Sequence, residues 1–307
     1  MIGRQVCKLL VEQGANVSSV SLDNVQPVVD VTYWVGDLCD TRRVHNSLAG
    51  AEFVFHVAGM KASGQITKDR PASFFVPLLQ MNTNVLAEAY RIGARCLYVS
   101  SIGAYEANQR GLYSDEEDFD FTSRPMDYYP GWAKRMGELQ CRAYETEFLY
   151  HVPIVRPSNV YGPGDRFGDG AMVIPALIEK TYGVLKNGGN VVPVYGTGVA
   201  RRDFVHSEDV ARGILLAMEH GTFPGFVNLG GGKTYSITDL CYLLSKITGA
   251  RYKFGNQEGA DNRRVLTVHR AHKELGWTPG MGLEAGLADL WVWYQRNHDE
   301  KRKDYFA

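Results

Sequence analysis

Val6, Leu9 and Leu10 recur at helical spacing within Met1 to Gly14, forming one apolar side of a helix that stops on Gly14. The period then changes. Ala15 to Asp23 alternates as a half-buried strand and ends on an acid, and Thr32 to Leu38 is a short strand closing on Gly36-Asp37-Leu38. A helix is expected over Thr41 to Leu48, then a buried strand over Phe53 to Gly59 that runs into a turn of small residues. A long helical stretch from Pro71 to Gly93 carries Asn82 and Asn84, and Arg95 to Ser101 is a strand ending in two serines. Farther on come a strand over Val152 to Arg156 and a helix opened by Ala171 to Pro175. Ser236 N-caps another helix, and Leu283 to Tyr294 is an amphipathic helix ahead of a charged tail. No internal repeat, low-complexity segment or Pro/Gly linker interrupts this α/β pattern.

A helix, then a strand, then a terminal acid is the second half of a dinucleotide-binding βαβ unit. In that unit an acid about 20 residues after the glycine turn bonds the adenosine ribose. Asp23 stands 20 positions after Gly3 (23 less 3), so Gly3 reads as the last glycine of a Gly-x-x-Gly-x-x-Gly turn. Its first two glycines and the strand before them are expected to lie outside this sequence. The alternative is an ordinary surface helix with no phosphate role. Asp37, at the C-terminal edge of its strand, suits the adenine amino group or the cap of the next helix. The Val57-Ala58-Gly59 turn lets backbone approach a ligand.

With 307 residues, 45% of them hydrophobic, and 33 glycines, the chain has enough material for one large α/β unit or a fused pair of domains. Lys+Arg at 33 against Asp+Glu at 34 argues against a polyanion binder, so nucleic acid is not an expected partner. The five cysteines are scattered, without a C-x-x-C pair, which reads as reduced thiols in a cytoplasmic protein and predicts no metal site. No apolar run approaches the length of a membrane span, and no signal peptide is expected.

The candidate chemistry centres on Asp127-Tyr128-Tyr129-Pro130-Gly131-Trp132-Ala133-Lys134, taken with Tyr98-Val99-Ser100-Ser101. A hydroxyl at a strand end, a phenol and a lysine can move a proton on or off a sugar hydroxyl while a nicotinamide exchanges the hydride. The candidates are Ser101, Tyr129 and Lys134. The usual Tyr-x-x-x-Lys spacing is broken, because Pro130 stands four residues before Lys134 and Tyr129 stands five before it. Proline suits the first turn of a helix, so the helix is expected to begin at Pro130 with Tyr129 just outside, free of helical spacing.

Several segments occur in one order. They are Asp23, Gly36-Asp37-Leu38, Phe55-His56-Val57-Ala58-Gly59, Val99-Ser100-Ser101 with Tyr105, and Trp132-Ala133-Lys134. Arg156-Pro157-Ser158-Asn159-Val160-Tyr161-Gly162, Arg202-Asp203-Phe204-Val205-His206, Asn228-Leu229-Gly230 and Leu275-Gly276-Trp277 follow. This ordered set resembles the extended short-chain dehydrogenase/reductases, in the NAD-dependent nucleotide-sugar epimerase/dehydratase branch, over essentially the whole chain. The resemblance implies a Rossmann-like doubly wound parallel sheet, lacking its first strand here, with a smaller interleaved α/β substrate-binding lobe. Residues 1 to 155 would form the NAD-binding domain. Residues 156 to 307 would form mainly the nucleotide-sugar lobe, with a return to the sheet at about 200 to 215.

The resemblance also implies roles. Ser101 would bond the sugar oxygen being oxidised, and Lys134 would bind the nicotinamide ribose and lower the phenol's pKa. Gly3, Asp23, Asp37, Leu38, Val57, Ala58 and Gly59 would contact NAD. Asn159, Arg202 and Arg264 would hold the diphosphate and nucleotide, guanidinium forks being suited to phosphate. The phenol does not carry over, since position 130 is proline; either Tyr129 would swing in to replace it, or Tyr129 is structural and the chain lacks the usual acid/base. Ile102 and Gly103 replace the acidic pair of sugar 4,6-dehydratases, and Gly103 replaces the cysteine of GDP-fucose synthases. What remains is an epimerase that takes hydride out and back at one sugar carbon, most simply C4, or a nucleotide-sugar dehydrogenase/reductase. Asp23 favours NAD over NADP. Two further readings are an enzyme of the same family on a non-sugar alcohol, which Arg202 and Arg264 disfavour, and a non-catalytic NAD- or nucleotide-sugar-binding relative. A homodimer through the helices at 71 to 93 and 130 to 148 is also implied.

Overall fold

The computed structural model describes residues 1–22, 28–60, 64–106, 111–113, 123–221, 225–257 and 264–298. The first half runs α1 (Ile2–Glu12), β1 (Val17–Ser21), β2 (Val31–Val35), α2 (Thr41–Leu48), β3 (Phe53–His56), α3 (Gly64–Asp69), α4 (Pro71–Arg91) and β4 (Arg95–Val99). A single 3-10 turn (Ile102–Ala104), β5 (Gly111–Tyr113), α5 (Tyr128–Phe148) and β6 (Ile154–Pro157) complete it. The second half runs β7 (Asn159–Tyr161), α6 (Val173–Lys186), β8 (Val191–Val194), β9 (Arg201–His206), α7 (Ser207–His220), β10 (Phe226–Leu229) and β11 (Thr234–Ser236). It ends with α8 (Ile237–Thr248), β12 (Arg251–Phe254), β13 (Arg264–Leu266), α9 (His269–Leu275) and α10 (Leu283–Asn297).

The central sheet is parallel throughout, in the order β10-β6-β4-β3. Successive residues of β4 alternate between its faces, as the period of two requires. Leu97 and Val99 pack with Val6 of α1, Ile214 of α7 and Leu275 of α9. Cys96 and Tyr98 pack with Val44 of α2, Leu86 of α4 and Cys141 of α5. A parallel sheet with helices on both faces is the doubly wound, Rossmann-like arrangement, and these four strands lie side by side in chain order from β3 through β4 and β6 to β10.

β1 and β2 form a separate parallel pair, with no ladder to the four-stranded sheet among the described residues. Both β1 and β3 line one cleft of about 1820 Å³, which runs on beneath α5. The edge of β3 is open enough that Phe53 is 48% exposed.

A second core joins α6, α8 and α10 through Ile174, Ile178, Leu240, Leu244, Leu287 and Trp291, and Phe204 of β9 belongs to it. β9 pairs in parallel with β7 and antiparallel with β11 in a separate three-stranded sheet, and because β10 returns to the central sheet after β9, this lobe is interleaved with that sheet in chain order. Ser236 caps α8 in a full capping box with Asp239.

Helix boundaries follow local chemistry. Gly14, at φ +80°, closes α1 in the left-handed conformation that favours glycine. Asp40 rather than Asp37 caps α2, accepting from the Arg42 N–H at 2.9 Å. Gly137 permits the close packing of α5, since a Cβ there would meet the Tyr98 hydroxyl and Asn82.

Candidate functional site

The cleft face of α5 is a helical stripe. Asp127, Pro130, Gly131 and Lys134 line it, spaced i, i+3, i+4 and i+7. The helix begins at Tyr128, two residues earlier than the sequence expectation, so Tyr129 is bound to helical spacing after all. It falls off the stripe. Its ring lies 6.1 Å from Phe75 and 4.9 Å from Tyr128, 37% of the residue is exposed, and it is not among the residues lining the cleft.

The Lys134 ammonium donates to the Val99 carbonyl at 2.7 Å, at the C-terminal edge of β4. Burial lowers its pKa to about 8, against the opposing pull of Glu138 one turn along the helix. A Cβ on Gly59 would lie 3.7 Å from the Lys134 Nζ, so the turn after β3 sits beside the lysine, and both residues line the cleft. Glu138 is buried. The Arg156 Nε donates to its Oε1 at 2.8 Å and the Arg156 Nη2 to its Oε2 at 2.5 Å, while the Ser100 hydroxyl also donates to Oε1.

Ser101 lies beside this group, and its Oγ accepts from the Gly103 N–H at 3.0 Å as the cap of the 3-10 turn. That bond leaves the hydroxyl proton uncommitted. On the lobe side Asn159 lines the same cleft, and its amide donates to the Asp203 carbonyl at 2.8 Å. Arg202 sits in β9 opposite Tyr235 and donates to the Arg201 carbonyl at 2.8 Å; it is not among the residues lining the cleft. Arg264 opens β13 opposite Gly111, and its side chain lies outside the described residues. Asp23 also lies outside them.

The remaining cofactor candidates converge. Gly3, Leu38, Val57, Ala58 and Gly59 all line the cleft. A Cβ on Gly3 would come within 3.2 Å of Val57 Cγ2, so the first turn of α1 is seated against the turn after β3. Asn84 of α4 fixes the Leu38 segment through its carbonyls, donating at 2.9 Å to Leu38 and 3.1 Å to Cys39. Asp37 is turned back onto its own segment, accepting from the Cys39 N–H at 2.8 Å. Helix start, glycine turns and lysine form a cradle that fits a nicotinamide dinucleotide. Gly3, Leu38, Val57, Ala58, Gly59 and Lys134 would hold it.

Sequence reasoning missed Asp127, Glu138 and Arg156 as parts of this site. Counting back from Lys134 by helical spacing would have found Asp127, and counting forward by four would have found Glu138. The ion pair with Arg156 joins a helix to a strand and carries no local signal.

Behind the lysine, His56 and Asn82 meet at 2.9 Å, and the Asn82 amide donates to the Tyr98 hydroxyl at 3.1 Å and the Ala133 carbonyl at 3.2 Å. Burial, aided by the Lys134 charge, lowers the His56 pKa to about 4. A histidine held neutral stabilises the fold above its unfolded pKa, and that contribution is lost as pH falls toward 4. Asp203, raised to about 6 by burial, has the opposite sign: its contribution is full at low pH and lost as pH rises through 6. The His56→Gln variant is therefore expected to lose less stability than the wild type between about pH 6.5 and 4. Urea midpoints of the two proteins across that window check this, and parallel curves would contradict it.

A parallel sheet with glycine turns and a buried lysine at its carboxyl edge is the arrangement of a dinucleotide-binding fold. The chain belongs to the NAD dependent epimerase/dehydratase family, whose family model matches residues 1–230. It is 27% identical over 282 residues to GDP-L-fucose synthase of Escherichia coli, covering 87% of this chain and 88% of the relative. It is 30% identical over 270 residues to dTDP-glucose 4,6-dehydratase of Streptomyces griseus, covering 85% of this chain and 77% of the relative. Among solved structures, UDP-glucose 4-epimerase of Thermotoga maritima with UDP-glucose superposes with a TM-score of 0.84 at 26% identity, over 97% of each chain. The family comprises NAD(P)-dependent nucleotide-sugar epimerases, dehydratases and reductases. Among the described residues no helix is long and apolar enough to cross a membrane.

Proposed function

We propose that this protein is an NAD-dependent nucleotide-sugar epimerase that removes and returns hydrogen at one sugar carbon, C4 in the simplest case. The observation that carries this reading is that Ser101, Lys134 and Asn159 line one cleft, with the first two from the sheet side and the third from the lobe. NAD, when bound, supplies the hydride acceptor. Ser101 offers a proton to the sugar oxygen, Lys134 places positive charge beside the nicotinamide ribose and the reacting oxygen, and Asn159 steadies the diphosphate. Arg202 and Arg264 are assigned to the nucleotide and its phosphates on their sequence motifs, and Asp23 supports NAD over NADP on the same basis.

Residues 1 to 155 would hold the cofactor, and most of 156 to 307 the nucleotide sugar. α4 and α5, which pack together and expose Val76, Leu139 and Phe148, suit the interface of a homodimer. The five free cysteines support a cytoplasmic setting.

The test incubates the protein with NAD⁺ and UDP-, GDP- and dTDP-hexoses and follows the sugar stereocentre by NMR alongside reduced nicotinamide. Epimerised sugar nucleotide with no accumulation of reduced cofactor is the expected result. Stoichiometric reduced cofactor would make the protein a dehydrogenase/reductase instead. No conversion of any sugar nucleotide would leave the non-catalytic reading.

A further inference from the structure

The stripe of α5 that faces the cleft carries two ionisable side chains, Asp127 at its start and Lys134 at its end. Position 130 between them is proline, which can neither take nor give a proton. Asp127 is the N-cap residue of α5, yet among the described residues its carboxylate caps no N–H of that helix. The side chain points at Gly103 instead. A Cβ built on Gly103 would stand 2.8 Å from the Asp127 Oδ2 and 3.3 Å from its Cβ.

Gly103 is also the residue whose N–H holds the Ser101 Oγ, and its carbonyl accepts from the Asp127 N–H at 3.4 Å. The Asp127 side chain and the Ser101 hydroxyl thus both lie against Gly103, and both residues line the cleft. The glycine makes this possible, because any side chain there would displace the carboxylate.

We propose that the Asp127 carboxylate is the general base and acid of this site, taking the proton of the sugar hydroxyl and later returning it. The proposal rests on the epimerase reading above. In the forward step the O–H bond breaks and its proton goes to the Asp127 Oδ2. The O–H electron pair forms the second carbon–oxygen bond, and the hydrogen on that carbon leaves with its own pair as hydride to the nicotinamide. In the return step the carboxylic acid gives its proton to the oxygen as hydride comes back to carbon, so protons and electrons balance over the cycle. The Ser101 hydroxyl positions the oxygen, and the Lys134 charge stabilises the alkoxide character that develops on it.

The experiment is the kinetics of Asp127→Asn on whichever sugar nucleotide the wild type converts. Asparagine matches aspartate in size and shape, and the Asp127 side chain makes no cap bond to the helix, so the helix start is retained. The expected result is a fall in kcat of roughly 10²-fold or more with KM little changed, and loss of the acidic limb of the kcat–pH profile. Gly103→Ala, which pushes the carboxylate out of place, should lower kcat in the wild-type background and add little on top of Asp127→Asn. If Asp127→Asn does not fold, Asp127→Ser carries the same test.

Wild-type kcat and an unchanged pH profile in Asp127→Asn, with the loss found in Tyr129→Phe, would overturn the proposal and leave the epimerase reading standing. A wild-type protein that converts no sugar nucleotide would overturn both.

Discussion

Lys134→Met is expected to reduce single-turnover hydride transfer by about 10³-fold or more, within the range for a lost catalytic group in a preorganised site. Methionine matches the length and apolar stem of lysine, so the substitution removes the charge and little else. The Lys134 ammonium is held between the Val99 carbonyl and the cleft, and burial lowers its pKa to about 8. A lysine whose folded pKa lies below its unfolded value destabilises the fold progressively as pH falls from the unfolded pKa to the folded one, and carries the full penalty below it, because the charge must be held in a poorly solvated place. At neutral pH the charge therefore works against stability, and Lys134→Met should be as stable as the wild type or more so while losing catalysis. That split marks a residue kept for chemistry. A variant that lost catalysis and unfolded together would show Lys134 to be a packing residue.

The wild-type rate should also decline above about pH 8 as the ammonium loses its proton. Because Glu138 holds this pKa up, Glu138→Gln should move that decline to lower pH. An identical alkaline limb in the two proteins would remove Glu138 from the site's electrostatics.

Much of the fold was legible because its elements announce themselves locally. Thr41 to Leu48 is the observed α2, Ser236 caps α8 as expected, and Gly14 ends α1 in the left-handed conformation. Short strands were read long, since the β3 pattern through Gly59 does not reveal that pairing ends at His56. The site was legible where the ordered motifs lay, at Ser101, Lys134, Asn159 and the Val57-Ala58-Gly59 turn, which line one cleft. The start of α5 was less so. Pro130 is compatible with several positions in a first helical turn, and placing it third rather than first rotates Tyr129 off the cleft and brings Asp127 to it. Such a choice is made by packing, here by Gly131 and Gly103 lying in contact, and no local propensity encodes it.

Arg156→Leu is expected to destabilise the protein by about 3–5 kcal/mol, the cost of leaving a buried carboxylate without its partner. The arginine is fully buried and forks onto Glu138 through two nitrogens, at 2.8 and 2.5 Å. Its guanidinium carbon lies 3.4 Å from the centre of the Phe226 ring and 4.6 Å from that of Tyr105, so stacking is lost along with the ion pair. The urea midpoint should fall with little change in the slope. Removing both partners in Arg156→Leu/Glu138→Leu should recover a large part of the loss, because well-packed apolar replacements of a buried pair often come near to neutral. The double variant also separates structure from chemistry. If it folds, Lys134 has lost the carboxylate one turn away, and its alkaline limb should move to lower pH, in the direction expected of Glu138→Gln. A cost below about 1 kcal/mol for Arg156→Leu would place the pair in the range of solvated surface salt bridges. It would contradict the buried position on which both the stability argument and the tuning of Lys134 depend.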